Sequence, residues 1–470
     1  MATQKEKIKA RLKKDYYSDL MVLAATQTRI QDNYMDVIIN LSDKFSTILR
    51  DNGYIKKLEY KPKEFWNFGG KKTIYNIDGG QASVQIPTAA PFGLRVVNYK
   101  VKPGDKSENR EDLISDPYVV TDLFDPNSEL FDQNDDDGLA DDLKKMQDGT
   151  RIIFEAAAGL RTALGVMDWP KEGKVVPTKN DMIFLHGPMV NPAAGYEVQG
   201  TISGKKYPPY TLETYNFLLP HRIKEAELPE HKDEEPLEKY RKFIPIYCEI
   251  LRKIKTLDVP IYGCVERPGI APFGPLTKQL MDKMINKRII KNTDVYRNSR
   301  KPNDPDGMAD ILRKYQISDS AFFDYMLDVG EYIDPQEINK QEENKWPISQ
   351  WDYEYWGLGI PKSFSTYLKV SENKKPIRIE TMEVRDSYNE DLNMVFHSSR
   401  LLKSYSFPVG LDIVDKLAKT PDWMKRNVRK NAIMLTLRKA MESGNKRAVA
   451  IARKIAVSSD NSFFNRPKGK

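Results

Sequence analysis

Asp78 follows the β-branched and aromatic run KKTIYNI and precedes Gly79 and Gly80. A carboxylate at that place is expected at a strand end, where glycines let backbone approach a ligand closely. Asp-Gly is also a common turn dipeptide, so a hairpin cap is the plain alternative. Glu155 lies in RIIFEAAAGLRTALGVM (151–167), among Ile152, Phe154, Ala156, Ala157 and Ala158. A carboxylate in such apolar company must be paired or metal-bound, and Arg151 or Arg161 is near enough in sequence to pair with it. His186 ends the run DMIFL before Gly187 and Pro188, either as a hydrogen-bonded structural residue or as a ligand; Asp181 opens the same run as a cap or turn residue. Asp415, beside Lys416 and Lys419 in FPVGLDIVDKLAKT, reads by itself as a solvated helix charge. Together these residues form a dispersed set of carboxylates with one imidazole. Such a set, converging on one or two divalent ions, is how nucleases position a phosphodiester and activate water.

Other chemistries lack their signatures. There is no Walker A loop, no GxGxxG after a strand, no GxSxG and no HExxH, which argues against the usual P-loop ATPases, kinases, Rossmann dehydrogenases and serine hydrolases. Two cysteines and four scattered histidines in 470 residues leave no disulfide scaffold, cysteine zinc module or His-rich metal site. No apolar run is long enough to span a membrane, and the N-terminus is charged where a signal peptide needs an apolar stretch. The expectation is a cytoplasmic protein without membrane association. The net charge of +7 is concentrated at one end: residues 421–470 carry 13 Lys/Arg against 3 Asp/Glu. A basic concentration of this kind is the electrostatic footprint of a polyanion partner, or else a solvated helix face with a loose tail.

The elements that must position these residues are legible in outline. Residues 4–50 have apolar positions three or four apart and predict a long helix. Three short strand-like runs follow from residue 71, KKTIYNIDGG, ASVQIP and LRVVNYKV, as a hairpin or meander. Residues 103–148 carry 15 Asp/Glu against 4 Lys/Arg and read as an acidic insertion or loop. Its centre, DQNDDDGLADDL, misses the calcium-loop pattern, because the glycine comes one place late and the twelfth residue is Leu143. A helix over 151–167, a strand over 181–185, a helix near 245, a strand within 256–269, a helical polar insertion over 270–345, a hairpin over 363–384 and a short amphipathic helix over 407–420 complete the frame. This is an α/β pattern of mixed pairing. An RNase H-like core fits it, divided as a helical N-terminal arm (1–65, a dimer or partner contact), a core domain (66–420) with the two insertions, and basic C-terminal helices and tail (421–470).

The order of the strand-IDGG segment, the helix with an embedded Glu, the strand ending in Gly-Pro, IYGCVERPG, the YLKV…IRIE hairpin and FPVGLDIVDKLA resembles the NurA nuclease family over roughly residues 71–420. The resemblance implies an RNase H-like fold, a homodimer, and a deoxyribonuclease (exo- or endonuclease) dependent on Mn2+ or Mg2+. It also implies docking on a HerA-type hexameric ATPase that feeds DNA for end processing or anti-phage defence. Carried over residue by residue, Asp78 and Glu155 match metal ligands of the family. His186 stands where the family has Asp, Asp415 where it has His, Phe407 where it has Tyr, and Glu266 with Arg267 beside it where a Lys is often found. The exchange at 186 and 415 is reciprocal. If the two positions face each other, Asp78, Glu155 and His186 hold the metal and Asp415 completes the catalytic set, with Tyr405 near enough in sequence to replace the missing hydroxyl. Arg267, Lys425, Arg426, Arg429 and Lys430 would then engage nucleic acid. The alternative is a catalytically weakened adaptor or clamp that binds the translocase and DNA without cutting.

Overall fold

A computed structural model describes residues 4–59, 72–83, 92–120, 139–191, 243–266, 268, 271–297, 306–338, 361–402 and 405–458. Arg267 and most of 205–245 lie outside the described residues. The chain divides into two compact units. One comprises Met1–Lys57, Arg267–Gln336 and Thr366–Ile377, and the other Leu58–Glu266, Glu337–Ser365 and Arg378–Lys470.

The first unit is mainly helical. Its N-terminal helix, Gln4–Asp51, buries Ile38, Leu41, Phe45 and Leu49, the three-and-four spacing that puts side chains on one helical face. They share this unit with the buried Leu276, Leu280, Met281 and Met284 of helix Pro275–Asn286, and Phe45 meets Phe322 edge-on with ring centroids 6.3 Å apart. Strand Ile55–Lys57 pairs antiparallel with Glu331–Ile333. The segment 270–345, read from the sequence as a helical polar insertion, carries four helices in its described residues. Its apolar positions form a core in the same unit as the N-terminal helix, and periodicity within either segment does not reveal that each supplies the other's buried face.

The second unit holds the sheet that concerns function. Strands β1 (Ile74–Ser83), β2 (Phe92–Val101) and β3 (Glu111–Val120) form an antiparallel meander, in register from Ile74↔Val101 to Ser83↔Phe92 and from Phe92↔Val120 to Val101↔Glu111. Helix α1 (Leu139–Ala163) then leads toward β4 (Met182–His186), which runs parallel to β1, and helix α2 (Phe243–Lys255) precedes β5 (Ile261–Val265), parallel to β4. Strand β6 (Ile377–Thr381) closes on β5 antiparallel, so the strand order is β6-β5-β4-β1-β2-β3. A three-strand meander followed by two parallel strands reached through helices is the RNase H-like arrangement anticipated from the segment order, in a mixed α/β fold. Helices α3 (Tyr388–Ser399), α4 (Val409–Ala418), α5 (Asp422–Glu442) and α6 (Lys446–Ser458) follow.

The two faces of the sheet follow from the period-two alternation of strands. Tyr75, Ile77, Ile183, Leu185 and Ile261 join Ile152, Ile153, Phe154, Ala157 and Leu160 of α1 and Tyr247, Ile250, Leu251 and Ile254 of α2 in one core. Each large side chain so buried contributes about 1.5–3 kcal/mol. The residues between them on β1, namely Asn76, Asp78 and Gly80, face α4. Behind β2, the fully buried Lys100 ammonium pairs with Glu172 at 2.9 Å and lies 4.8 Å from the centroid of the Trp169 ring.

Two sequence expectations change here. The acidic stretch 103–148 is not one loop: residues 111–120 form β3, and α1 begins at Leu139, twelve residues ahead of the helix expected from Arg151. The apolar pattern that marked the helix begins only at Ile152, so its charged first turns carried no periodic signal. Residues 121–138 lie outside the described residues. Asp-Gly-Gly also fails to close its strand, for a reason that belongs to the site.

Candidate metal centre

Asp78 sits in mid-strand, and β1 continues beyond it to Ser83. The glycines act by close approach rather than by turning. A Cβ on Gly79 would lie 2.7 Å from Glu155 Oε1, and one on Gly80 would lie 2.3 Å from the carbonyl oxygen of Ala418. Helix α1 thus rests on one face of the strand and α4 on the other, at successive residues. Asp78 is still at an edge in one sense. Its parallel neighbour β4 pairs with β1 only as far as Ile77↔Leu185 and ends at His186. Gly187 follows with φ +119°, a backbone region that side chains resist, and it turns the chain away immediately after the imidazole.

The three side chains that converge come from separate elements. Asp78 Oδ2 lies 3.0 Å from His186 Nδ1, and its Oδ1 accepts the Gly79 N–H at 2.8 Å. Asp415 enters from α4, so that one ligand-type atom from each of Asp78, His186 and Asp415 lies within 4.8 Å of the other two. The reciprocal positions 186 and 415 therefore do face one site. Helix α4 is held there by the backbone contact at Gly80 and by Arg95 Nη1, which donates to the Leu417 carbonyl at 3.2 Å, a favourable place for a cation at a helix C-terminus. Asp415 is paired along its helix with Lys419. Phe407 packs edge-on against His186 with centroids 5.3 Å apart. It takes the position expected for a hydroxyl-bearing ring and supplies an apolar wall instead.

Glu155 stands beside this trio from the opposite face of the sheet. Its Oε1 accepts from Arg151 Nη1 at 2.5 Å and from the Gly79 N–H at 3.1 Å. Of the two pairing partners considered from sequence, Arg151 is the one used; Arg161 lies 3.8 Å from Asp116. Burial raises the Glu155 carboxyl, Arg151 draws it back, and Asp78 pushes it up again, leaving it at about 7. Glu155 in turn keeps Arg151 firmly charged against the effect of burial. Burial works against a charged His186, but the hydrogen bond and charge of Asp78, with Asp415 and Glu155 behind it, outweigh burial and raise the imidazole above its ordinary value. Tyr405 lies in the same electrostatic neighbourhood. Burial, Glu266, a hydrogen bond to Asp412 and the charge of Asp415 all push its phenol upward.

The donor set fits a hard or borderline divalent cation. Two carboxylates with one imidazole suit Mn2+, and the carboxylates suit Mg2+. Asp78, already held by a backbone N–H, is fixed in orientation as a ligand should be. Of the residues expected to meet nucleic acid, Lys425, Arg426, Arg429 and Lys430 all lie on α5, within the second unit; Lys425 is paired at 3.7 Å with Asp422, and Arg426 and Lys430 are exposed. Arg267 lies outside the described residues.

Sequence reasoning missed Asp148, whose Oδ1 accepts from Gln81 Nε2 at 2.7 Å. The spacing 148, 151, 155 along one helix was the available signal. It also missed Arg95, for which there was none, because its partner on α4 is 322 positions away.

No known protein-family model matches this chain, and no curated protein does. Solved structures similar to it include NurA nucleases. The NurA nuclease from Sulfolobus solfataricus has a TM-score of 0.48 and 12% identity, with 90% of this chain and 97% of that one covered. A crystal structure of NurA with manganese has a TM-score of 0.40 and 11% identity, covering 87% and 96%. Another, of NurA bound to dAMP and manganese, has a TM-score of 0.32 and 10% identity, covering 82% and 91%. No helix among the described residues is long and apolar enough to cross a membrane.

Proposed function

We propose that this protein is a metal-dependent deoxyribonuclease that hydrolyses phosphodiester bonds. The observation that carries the reading is the convergence of Asp78, His186 and Asp415, from a strand, a strand end and a distant helix, on one point. Asp78, His186 and Asp415 would hold a divalent ion, Mn2+ or Mg2+, and such an ion when bound supplies Lewis-acid polarisation of the phosphate and a water of lowered pKa. The protein's own groups do the rest. The Gly79 N–H fixes the Asp78 carboxylate. Phe407 restricts the imidazole of His186 and keeps water from one side of it. Lys419, exposed and paired with Asp415, is free to leave that carboxylate for a phosphate when a cation takes its place. The basic α5 helix, through Lys425, Arg426, Arg429 and Lys430, together with Arg267, would hold the DNA backbone by charge.

The segment order in the sequence supports a partnership with a HerA-type hexameric ATPase that feeds DNA to the nuclease, in end processing or anti-phage defence, and a homodimeric assembly. The adaptor reading keeps one observation in its favour, the Arg151–Glu155 ion pair that occupies a carboxylate otherwise available as a ligand. Cleavage of linear single- and double-stranded DNA with Mn2+, with and without a HerA-type ATPase, separates the two. Metal-dependent cutting that is lost in Asp78→Ala supports the nuclease. An inert wild type that still binds the ATPase gives the case to the adaptor.

A further inference from the structure

We propose that Arg151 fills, as a fixed cation, the place a second metal ion would take, so that the centre holds one divalent ion on Asp78, His186 and Asp415. This rests on the metal-dependent reading above and specifies its ion count and the role of Glu155. Glu155 Oε1 already accepts two donors, Arg151 Nη1 at 2.5 Å and Gly79 N at 3.1 Å. An ion bound there would have to displace a charge-assisted hydrogen bond, the strong kind. Packing points the same way. A Cβ at Gly79 would meet Glu155 Oε1 at 2.7 Å and Arg151 Cγ at 3.2 Å, so that carboxylate oxygen and the stem of the guanidinium both lie close against the strand at Gly79.

The charges acting on Arg151 are all carboxylates. Glu155 and Asp78 both act on its guanidinium, and Asp148 adds a third carboxylate one helical turn before it. Asp148 is itself anchored to β1 through Gln81. One carboxylate in direct contact with Arg151, and two more acting on it by charge, do for this cation part of what acidic ligands do for a metal, with the cation covalently part of the chain. A guanidinium offers five N–H donors in a planar fork, so pairing with Glu155 and contacting a phosphate oxygen are compatible. Glu155 is then a positioning residue: it holds Arg151 against the strand beside Asp78 and is not a ligand.

The test counts Mn2+ bound per full-length chain, by equilibrium dialysis with electron paramagnetic resonance of the free ion, independently of cleavage. One ion per wild-type chain is expected, with affinity lowered at least tenfold in Asp78→Ala. Arg151→Lys keeps a count of one. Arg151→Gln releases Glu155 and raises the count to two, and adding Glu155→Gln returns it to one. Two ions on the wild type, one of them lost in Glu155→Gln, overturn the proposal while leaving a metal-dependent nuclease standing. No ion on the wild type, or binding indifferent to Asp78→Ala, overturns the metal reading itself and this inference with it. The wild-type count decides even if Arg151→Gln fails to fold.

Discussion

Gly80→Ala tests the arrangement on which the site depends. The new methyl group would lie 2.3 Å from the Ala418 carbonyl oxygen and 2.5 Å from its carbon, both backbone atoms of α4. Ordinary contact begins near ~3.4 Å, so strand and helix must separate by roughly 1 Å, and interior packing does not absorb such a shift freely. Overpacking of this size costs about 1–3 kcal/mol of stability. The functional cost is expected to be larger than the stability cost, because Asp415 rides on the helix that is displaced while Asp78 and His186 stay with the sheet. Their ligand atoms lie within 4.8 Å of one another, and a misplacement of about 1 Å lowers a reaction rate on the order of 100-fold. Urea unfolding, Mn2+ affinity and cleavage rate measured on the same preparation read the three consequences together. Because the obstruction is backbone, trimming Ala418 to glycine brings no rescue. A Gly80→Ala protein with the wild-type urea midpoint and wild-type Mn2+ affinity would refute the contact between β1 and α4, and with it the reason given for a glycine there.

Three further outcomes follow from other parts of the second unit. Glu172→Gln leaves the buried Lys100 ammonium without its carboxylate and should lower stability by about 3–5 kcal/mol in urea titration; an unchanged midpoint would mean that Lys100 finds water or another partner. Replacing Lys425, Arg426, Arg429 and Lys430 together by alanine should weaken DNA binding and flatten the plot of log affinity against log salt, by about 0.9 for each duplex phosphate that the helix no longer neutralises, whereas an unaltered slope would remove α5 from the interface. Burial, assisted by Arg400, depresses the pKa of His397, so the unfolded chain takes up a proton there more readily than the folded one. The stability this histidine contributes is present above its unfolded value of about 6.5 and is lost as pH falls through the depressed folded value. Urea midpoints measured from neutral to mildly acidic pH should fall less steeply in His397→Gln than in the wild type, and equal slopes would contradict the burial argument.

The amino-acid sequence by itself pointed to a chemistry of carboxylates with an imidazole and determined most of the local elements. An apolar run closed by His186-Gly187-Pro188 is strand β4, FPVGLDIVDKLAKT contains α4, and a helix carries Glu155 among alanines, because period-two and period-3.6 patterns are imposed by burial on one face and are written locally. Absent motifs excluded rival chemistries by the same local logic. Which side chains meet was decided only in three dimensions. Asp415, a solvated helix charge when read alone, comes within 4.8 Å of Asp78 and His186 because β1 has no side chain at Gly80 and α4 can lie on its backbone. Asp78 stays in mid-strand because its glycines are pressed by Glu155 on one side and Ala418 on the other, where the dipeptide alone predicted a turn. Glu155, for which the sequence left open a pairing with Arg151 or Arg161 and a ligand role, is paired with Arg151. Periodicity specifies the face a residue shows and says nothing of what that face will meet, and Asp78 and His186, 108 residues apart in the chain, acquire their contact only from the parallel register of β1 and β4.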